Sequence, residues 1–249
     1  MYLYKFAHYL ARFKLIKMEF LNQAIKLPVE NFDVGHEKKV KRHGDLLPDS
    51  IRAIFCGPSN CGKTNSLLAL ITHPNGLRFE NVYIYSKSLN QPKYKFLKEL
   101  LDPIKGVQYL PFSDHESVIS PDKALPNSIM VFDDIACEKQ DSVRAYFCMG
   151  RHKNVDCFYL CQSYAKVSKH LIRDNVNLLA IFRQDDVNLK HIYDDHVNTD
   201  MSYNRFKELS GKCWGKDNYG FLVIDKDRAL NDGRYRKGFD SFIINMRDN

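Results

Sequence analysis

The sequence lacks the features that define several special classes of protein. No uninterrupted apolar run reaches the ~18 residues needed to cross a bilayer, so we expect no integral association with a membrane. Glycine and proline are sparse, at 12 and 9 of 249 residues, which excludes a fibrous chain. No internal repeat or low-complexity segment is present. With 44% hydrophobic residues the chain is of the globular type, and it is long enough to bury a core without disulfide or metal staples.

The cysteines lack the spacing of a metal site or of a disulfide framework. Their number, 7, is odd, and none belongs to a CxxC pair. Cys56 and Cys157 lie within apolar runs, where a thiol behaves as a small hydrophobe. Cys161 follows Cys157 by four residues, but in a segment that predicts a strand. We therefore expect reduced thiols in an intracellular protein and no structural metal.

Charge of one sign is only mildly in excess. The chain has 37 Lys and Arg against 30 Asp and Glu, a formal net charge of +7. This balance is compatible with a polyanionic partner but does not identify one. No run of five or more like charges occurs, and the densest basic patch, residues 36–43, is typical of a solvated surface loop.

The first 27 residues combine Leu, Ile, Phe and Tyr with interspersed basic residues. They lack the apolar centre and the cleavage site of a secretory signal. The segment predicts a helix or arm packed on the main domain, sequence upstream of a start at Met18, or an amphipathic helix at a membrane surface. Residues 28–50 contain prolines and glycines typical of a loop. We predict an N-terminal arm or helix with its linker over residues 1–47, and the main domain over 48–249.

The most informative stretch begins with Ile51–Cys56, an apolar run that predicts a buried strand. The pattern G-x-x-x-x-G-K-[ST] follows at once. It is formed by Gly57, Pro58, Ser59, Asn60, Cys61, Gly62, Lys63 and Thr64. An apolar-rich helix is predicted next, over Asn65–Thr72. A tight strand-to-helix turn without a ligand is the alternative reading.

Each residue type of this motif suits phosphate binding. Glycine lets the backbone turn tightly and approach an anion, whose charge then meets successive N–H groups and the positive end of the helix. Lys63 is expected to contact the β- and γ-phosphates, and the Thr64 hydroxyl to hold Mg²⁺. The motif therefore predicts ATP and Mg²⁺ as the bound cofactors.

A second motif supplies the carboxylates that such a site needs. Ser128–Ile135 reads as a strand whose apolar residues lead into Asp133 and Asp134. Ligands of parallel sheets bind at the carboxyl ends of the strands, where these two residues would lie. Asp133 is expected in the Mg²⁺ shell, and Asp134 is expected to orient and deprotonate the attacking water. Strands often end in Asp at a turn, so this motif alone is weak evidence. Its pairing with the predicted phosphate loop, residues 57–64, gives it weight.

Apolar runs and helical periodicity continue on both sides of the acidic motif. Further strands are predicted at Glu80–Ser86, Gly106–Phe112, Val155–Gln162, Asn177–Arg183 and Gly220–Asp225. Helices are predicted near Lys93–Leu101, Lys139–Met149, Tyr164–Arg173, Val187–His196 and Tyr203–Leu209. Strands that alternate with helices imply a mostly parallel sheet. The predicted fold class is α/β, a P-loop NTPase with a mostly parallel sheet and helices on both faces.

Three further polar residues lie near the ends of predicted strands. Gln162 ends a strand and would lie near the γ-phosphate if that strand neighbours the Asp133 strand, although it would also suit capping of the next turn. Arg151 precedes the same strand, at the end of the sheet opposite the nucleotide. It would reach the phosphates of a neighbouring subunit in a ring, as an arginine finger in trans, or serve as a helix-capping surface charge. Arg183 is the competing candidate for the finger.

The ordered combination of these segments resembles a known family. GPSNCGKT after an apolar strand, MVFDDI, and then GRH followed by a strand ending in LCQS are similar to the genome-packaging ATPases of large DNA viruses and of Polinton or Maverick elements, within the FtsK–HerA superfamily. The resemblance covers roughly residues 50–245. It includes the basic, aromatic tail Gly233–Phe239, which is similar to the closing segment of the family.

The resemblance implies a role for each motif residue. Lys63 and Thr64 would contact the nucleotide and the metal, and Asp133 and Asp134 would form the second motif. Gln162 would be the sensor of the γ-phosphate, and Arg151 would be the arginine finger. The wider superfamily often has Glu at the second acidic position. Asp134 is one methylene shorter, so the attacking water would have to lie closer or the backbone would have to shift to compensate.

Together the motifs favour an ATP-driven motor that moves double-stranded DNA into a viral capsid. It would act as a homo-oligomeric ring with a capsid protein as a further partner, at the viral assembly site in the host cytoplasm or nucleus, or within the virion. Lys216, Arg234 and Arg236 are considered for contacts with DNA phosphates.

Two other classes of protein stay open. One is a non-motor P-loop NTPase, such as a nucleotide or small-molecule kinase, which would need a lid carrying arginines that the region after Gln162 does not clearly show. The other is a nucleic-acid-binding module without hydrolysis, which the presence of both acidic residues disfavours.

Overall fold

The computed structural model describes residues 21, 24–25, 41–215 and 219–243. Residues 1–39 and 40–249 form two separate units, and every described strand and helix belongs to the second. The predicted N-terminal arm or helix lies almost wholly outside the described residues. In the described part of the chain no helix is long and apolar enough to cross a membrane.

The described part of the second unit contains nine strands and five α-helices. The strands are β1 (Arg52–Cys56), β2 (Asn81–Ser86), β3 (Gln108–Phe112), β4 (Ser128–Asp133), β5 (Val155–Cys161), β6 (Leu178–Phe182), β7 (Phe221–Asp225), β8 (Tyr235–Lys237) and β9 (Ser241–Phe242). The α-helices are α1 (Lys63–Thr72), α2 (Pro92–Leu101), α3 (Asp141–Met149), α4 (Asp186–His196) and α5 (Tyr203–Trp214). Short 3₁₀ or π-helical segments occur at Gly150–Lys153, Tyr164–Lys166 and Lys169–Arg173.

All nine described strands form one sheet in the order β3-β2-β4-β5-β1-β6-β7-β8-β9. The first six strands in this order pair in parallel, and β7, β8 and β9 add to the edge in antiparallel pairs. This confirms the predicted mostly parallel sheet. In it β5 lies directly between β4, which ends in Asp133, and β1, which leads into the phosphate loop.

Alternate residues of the central strands point to opposite faces of the sheet and build two cores. Ala53 and Phe55 pack with the apolar residues of α1 and α2 in one of them. Ile54 and Cys56 pack with those of α3, α4 and α5 in the other. The described helices therefore cover both faces of the sheet, as predicted.

The chain after β5 departs from the predicted helix over Tyr164–Arg173. It forms a 3₁₀ turn and then a π-helical segment that is kinked, with Leu171 at a φ of 70°. The Asn188 side chain of α4 accepts the Ala165 N–H at 2.9 Å, and the buried Tyr164 hydroxyl lies 2.7 Å from His196 Nε2. These contacts with α4 fix the segment by tertiary structure, which overrides local helical periodicity.

The predicted linker immediately before β1 packs against the amino edge of the sheet. His43 is buried, and its Nδ1 accepts the Arg78 N–H at 3.1 Å, so its Nε2 carries the hydrogen donated to Asp156 Oδ2 at 2.8 Å. The other Asp156 oxygen accepts the Ile51 N–H at 2.7 Å, and Arg42 lies 3.3 Å from the same carboxylate. The domain boundary stays a prediction, but this part of the linker supplies the partners of a buried charge.

Candidate functional site

The phosphate-loop sequence connects the carboxyl end of β1 to the start of α1. Gly57 donates its N–H to Cys161 O at 3.1 Å, which ties the loop to the end of β5. A Cβ at Gly57 would lie 2.5 Å from Cβ of Phe182, so the loop can run this close to β6 only without a side chain. Gly62 has a φ of 103°, a conformation that residues with a Cβ rarely adopt. The two glycines of the motif are therefore required by the backbone path.

Lys63 and Thr64 occupy the first turn of α1, because the helix begins two residues before its predicted start. Lys63 Nζ donates to Gly57 O at 2.6 Å and to Pro58 O at 2.9 Å, so the ammonium group lies across the mouth of the loop. The first turn holds no acidic residue. Its unpaired N–H groups and the positive end of the helix dipole can therefore attract an anion.

Asp133 ends β4 next to this loop. Burial raises the pKa of its carboxyl group, while the hydrogen bond from Tyr94 and the charge of Lys63 oppose that rise. The Tyr94 hydroxyl is the donor of that bond, to Asp133 Oδ2. The phenol stays protonated because burial, and next the Asp133 charge, raise the pKa of Tyr94. The structure thus brings Asp133 within electrostatic range of the phosphate loop.

Asp134 and Gln162 meet above the carboxyl ends of β4 and β5. Gln162 Nε2 donates to Asp134 Oδ1 at 3.2 Å, and both side chains are exposed. Asp134 has a φ of 56°, in the left-handed region that Asp and Asn enter more easily than most residues. This turn of the backbone directs Asp134 and Asp133 differently, so that one carboxylate is exposed while its neighbour is partly buried. The two acids are therefore suited to different tasks.

Arg151 lies at the opposite, amino edge of the sheet, in the short segment before β5. Its exposed side chain lines a cleft of about 610 Å³, together with Arg52, Asn177, Asp225 and Arg228. From this edge Arg151 does not reach the phosphate loop of its own chain, because that loop lies at the carboxyl edge of the sheet. The competing residue Arg183 follows β6 at the carboxyl edge, where its guanidinium donates to Gly215 O at 2.9 Å.

The arginines considered for contact with DNA are engaged within the domain. Arg236 is fully buried and paired with Asp225. Arg234 is paired with Asp200, at 2.5 Å, and its side chain is 17% exposed. A carboxylate holds each guanidinium within the domain, that of Asp225 for Arg236 and that of the partly buried Asp200 for Arg234, which disfavours contact with a DNA phosphate. Lys216 lies outside the described residues.

Sequence reasoning did not single out Tyr94 or Ser86. Ser86 ends β2 and pairs with Asp133 across the strands, and its side chain lowers the pKa of Tyr94. Ligands of parallel sheets bind at the carboxyl ends of the strands, so any polar residue at such an end is a candidate. Applied to β2, this rule would have identified Ser86. Tyr94 lies within a helix and carries no such signal, because its contact with Asp133 arises from packing.

The side chains present suit a nucleotide with its metal ion. A carboxylate and a hydroxyl, those of Asp133 and Thr64, are hard oxygen ligands of the kind that Mg²⁺ takes along with phosphate oxygens and water. Among the described residues no group of three or more His, Cys, Asp or Glu side chains could hold a metal by itself. The chemistry of the donors therefore fits Mg²⁺ that arrives with a phosphate ligand and not a closed structural site.

No family model matches the chain, and no curated protein matches it. Among solved structures it is similar to the genome-packaging NTPase B204 of Sulfolobus turreted icosahedral virus 2, in complex with AMP, at 11% identity and a TM-score of 0.49, over 73% of this chain and 95% of that chain. It is similar to B204, the DNA-packaging ATPase of Sulfolobus turreted icosahedral virus, at 15% identity and a TM-score of 0.48, over 72% and 94%. It is also similar to the large terminase of a thermophilic bacteriophage, in complex with ADP, at 17% identity and a TM-score of 0.32, over 45% and 33%.

Proposed function

We propose that the chain is an ATP-hydrolysing motor that translocates double-stranded DNA into a viral capsid. The observation that carries hydrolysis is the convergence of the phosphate loop, Asp133, Asp134 and Gln162 at the carboxyl ends of three adjacent strands. The order of these motifs along the chain resembles that of packaging ATPases, which favours DNA as the cargo. The net charge of +7 is compatible with a polyanionic cargo.

The phosphate loop would bind and orient ATP. Backbone N–H groups of the loop and the amino end of α1 face the negative phosphates. Lys63 would exchange its bonds with Gly57 O and Pro58 O for bonds with β- and γ-phosphate oxygens. Thr64 and Asp133 would hold Mg²⁺, which when bound supplies positive charge that offsets the charge on the phosphates.

Asp134 and Gln162 would act on the attacking water. The carboxylate of Asp134 would accept a proton from it, a role that its exposure supports and that the partial burial of Asp133 disfavours for that residue. The Gln162 amide, which donates to Asp134 in the structure, would hold the carboxylate and sense the γ-phosphate from between the two motif strands. The residues proposed to act on water thus directly follow β4 and β5, and those proposed to bind the phosphates follow β1 and begin α1.

Arg151 is proposed to act on a neighbouring copy of the chain. Its place at the amino edge of the sheet separates it from the phosphate loop of its own chain by the length of β5. In a ring, the amino edge of one subunit would face the nucleotide of the next, and DNA would pass through the central channel. The ring would act where virions assemble, with a capsid protein as its docking partner.

Stimulation of ATP hydrolysis by duplex DNA is the experiment that tests this function. We expect the hydrolysis rate of the purified chain to rise severalfold when long duplex DNA is added at low salt, and this increase to fade as salt is raised, because the cargo would be bound through its phosphates. The measurement is phosphate release at saturating ATP and Mg²⁺, with heparin as a matched polyanion that lacks the duplex shape.

Two results would contradict the motor. If heparin stimulated hydrolysis as strongly as DNA, the effect would be one of charge alone. If DNA had no effect at low salt while phosphate was transferred to a nucleoside or other small acceptor, the alternative of a kinase would be favoured.

Subunit mixing tests the proposed finger. Arg151→Ala and Lys63→Ala chains should each hydrolyse ATP at a small fraction of the wild-type rate. Mixed rings should regain part of the activity, because an intact phosphate loop of one chain can then face an intact Arg151 of the other. The measurement is the hydrolysis rate against the mixing ratio, with each variant alone as the control. Absence of any regain, in rings shown by light scattering to assemble, would contradict action in trans.

A further inference from the structure

We propose that Tyr94 is a positioning residue, which holds the Asp133 carboxylate in the orientation that receives Mg²⁺. The inference rests on the proposed function, since it concerns the metal site of that function. Tyr94 lies in the first turn of α2, and its hydroxyl donates to Asp133 Oδ2 at the end of β4. A hydroxyl from a helix on one face of the sheet thus reaches a carboxylate at the edge.

The Tyr94 hydroxyl lies near the ends of two neighbouring strands. Ser86, fully buried at the end of β2, lowers the pKa of Tyr94 and so opposes the rise caused by burial and by Asp133. Ser86 pairs with Asp133 across β2 and β4, and its Oγ accepts the Ser88 N–H at 3.1 Å. The hydrogen bond that Tyr94 donates to Asp133 therefore lies in a largely buried, polar corner at the ends of these strands.

The ring of Tyr94 cannot easily leave this position. It is 1% exposed and packs with Leu97 and Leu101, the other buried residues of α2, in the core between the helices and the sheet. A buried donor on Oδ2 restricts the rotation of the carboxylate and would leave Oδ1 as the oxygen available to a metal ion. Groups that hold a ligand in this way commonly contribute 10- to 100-fold to metal affinity or activity, which sets the expected size of the effect at about 10-fold.

Mn²⁺ binding to Tyr94→Phe tests the proposal without relying on turnover. The substitution removes only the hydroxyl and retains the ring in the core. We expect the affinity of the ADP complex for Mn²⁺, measured by electron paramagnetic resonance, to fall about 10-fold relative to wild type. ADP binding without metal should change less than about 2-fold. In hydrolysis, the Mg²⁺ concentration at half the maximal rate should rise by a similar factor, while the rate at saturating Mg²⁺ stays close to wild type.

Tyr146→Phe is the matched control. Tyr146 is also a fully buried tyrosine, and its hydroxyl donates to Ile119 O at 3.1 Å, on the opposite face of the sheet from Tyr94. Tyr146→Phe likewise removes one hydroxyl and one buried hydrogen bond, but that bond does not involve Asp133. Its Mn²⁺ affinity should therefore equal that of wild type. If Tyr94→Phe kept wild-type Mn²⁺ affinity, or lost no more than Tyr146→Phe, the positioning role would be wrong.

Failure of the proposed function would be recognised separately. Wild-type protein that bound neither ADP nor Mn²⁺ with ADP would overturn the nucleotide site itself. Wild-type protein that bound both, and a Tyr94→Phe variant indistinguishable from it, would overturn the positioning role alone. A variant that unfolded at a temperature well below both wild type and Tyr146→Phe would assign the hydroxyl to stability, and the positioning role would then be rejected unless saturating Mg²⁺ restored the hydrolysis rate.

Discussion

Replacing Lys63 with alanine is expected to lower the rate of ATP hydrolysis by at least about 100-fold. The lysine ammonium is the positive charge that the structure places across the mouth of the phosphate loop, through its bonds to Gly57 O and Pro58 O. Without it the developing charge on the transferred phosphoryl group loses an oriented donor, a loss that in comparable sites costs about 10²–10³ in rate. ATP affinity should fall as well, because the same charge meets the bound phosphates.

The measurement is steady-state hydrolysis together with binding of a fluorescent ATP analogue. Lys95→Ala is a suitable control, because Lys95 is an exposed residue of α2 and its removal changes the net charge by the same amount. The control should keep wild-type rate and affinity. Unchanged turnover in Lys63→Ala would reject the assignment of a phosphate loop.

Replacing Asp134 with asparagine is expected to separate hydrolysis from binding. The variant should bind ATP as wild type does but hydrolyse it about 10²–10⁴-fold more slowly, the range that a general base contributes. Asparagine is the informative choice. It tolerates the positive φ of 56° at this position, and its side-chain oxygen can still accept the bond from Gln162 at 3.2 Å. The backbone and the Gln162 contact are thus retained, and only the proton acceptor is lost.

Single-turnover hydrolysis and analogue binding measure the two effects of this change. Asp141→Asn is the control, since Asp141 is an exposed carboxylate in the next helix, paired on the surface with Arg144. Asp134→Glu should recover part of the rate, because glutamate is the residue often found here in the superfamily that the sequence resembles. If Asp134→Asn failed to bind ATP, the carboxylate would have a structural role and not a catalytic one.

The central part of the fold could be predicted from the sequence because its signals are local. Buried parallel strands such as β1 and β5 are short apolar runs, and the chemistry at their ends follows in the next few residues. The condition for Gln162 to approach Asp134, that β5 neighbours β4, is met by the strand order. The roles of these residues stay predictions, supported by the distance between them.

The features that could not be predicted depend on contacts between residues that are distant in the sequence. Arg236 reads as a surface charge, but it is buried in β8 by its ion pair with Asp225, so a strand of three residues with two charged side chains escaped prediction. The kinked segment before β6 is stabilised by α4, because Tyr164 and Ala165 form hydrogen bonds with side chains of that helix. The Tyr94 contact with Asp133 likewise joins residues 39 positions apart. Local periodicity carries no information about such pairs.

The contact between His43 and Asp156 also bears on the order in which the domain assembles. Their positions are 113 residues apart, so the chain must close a long loop before the bond can form. During synthesis His43 emerges well before its acceptor, and β5 enters the middle of the sheet with a carboxylate that only the earlier segment can neutralise. A fragment beginning at residue 48 would leave that buried charge without Arg42 and His43, which costs about 3–5 kcal/mol in comparable pairs. The residues before β1 thus complete the surroundings of a central strand, and expression boundaries for the domain belong on their amino-terminal side.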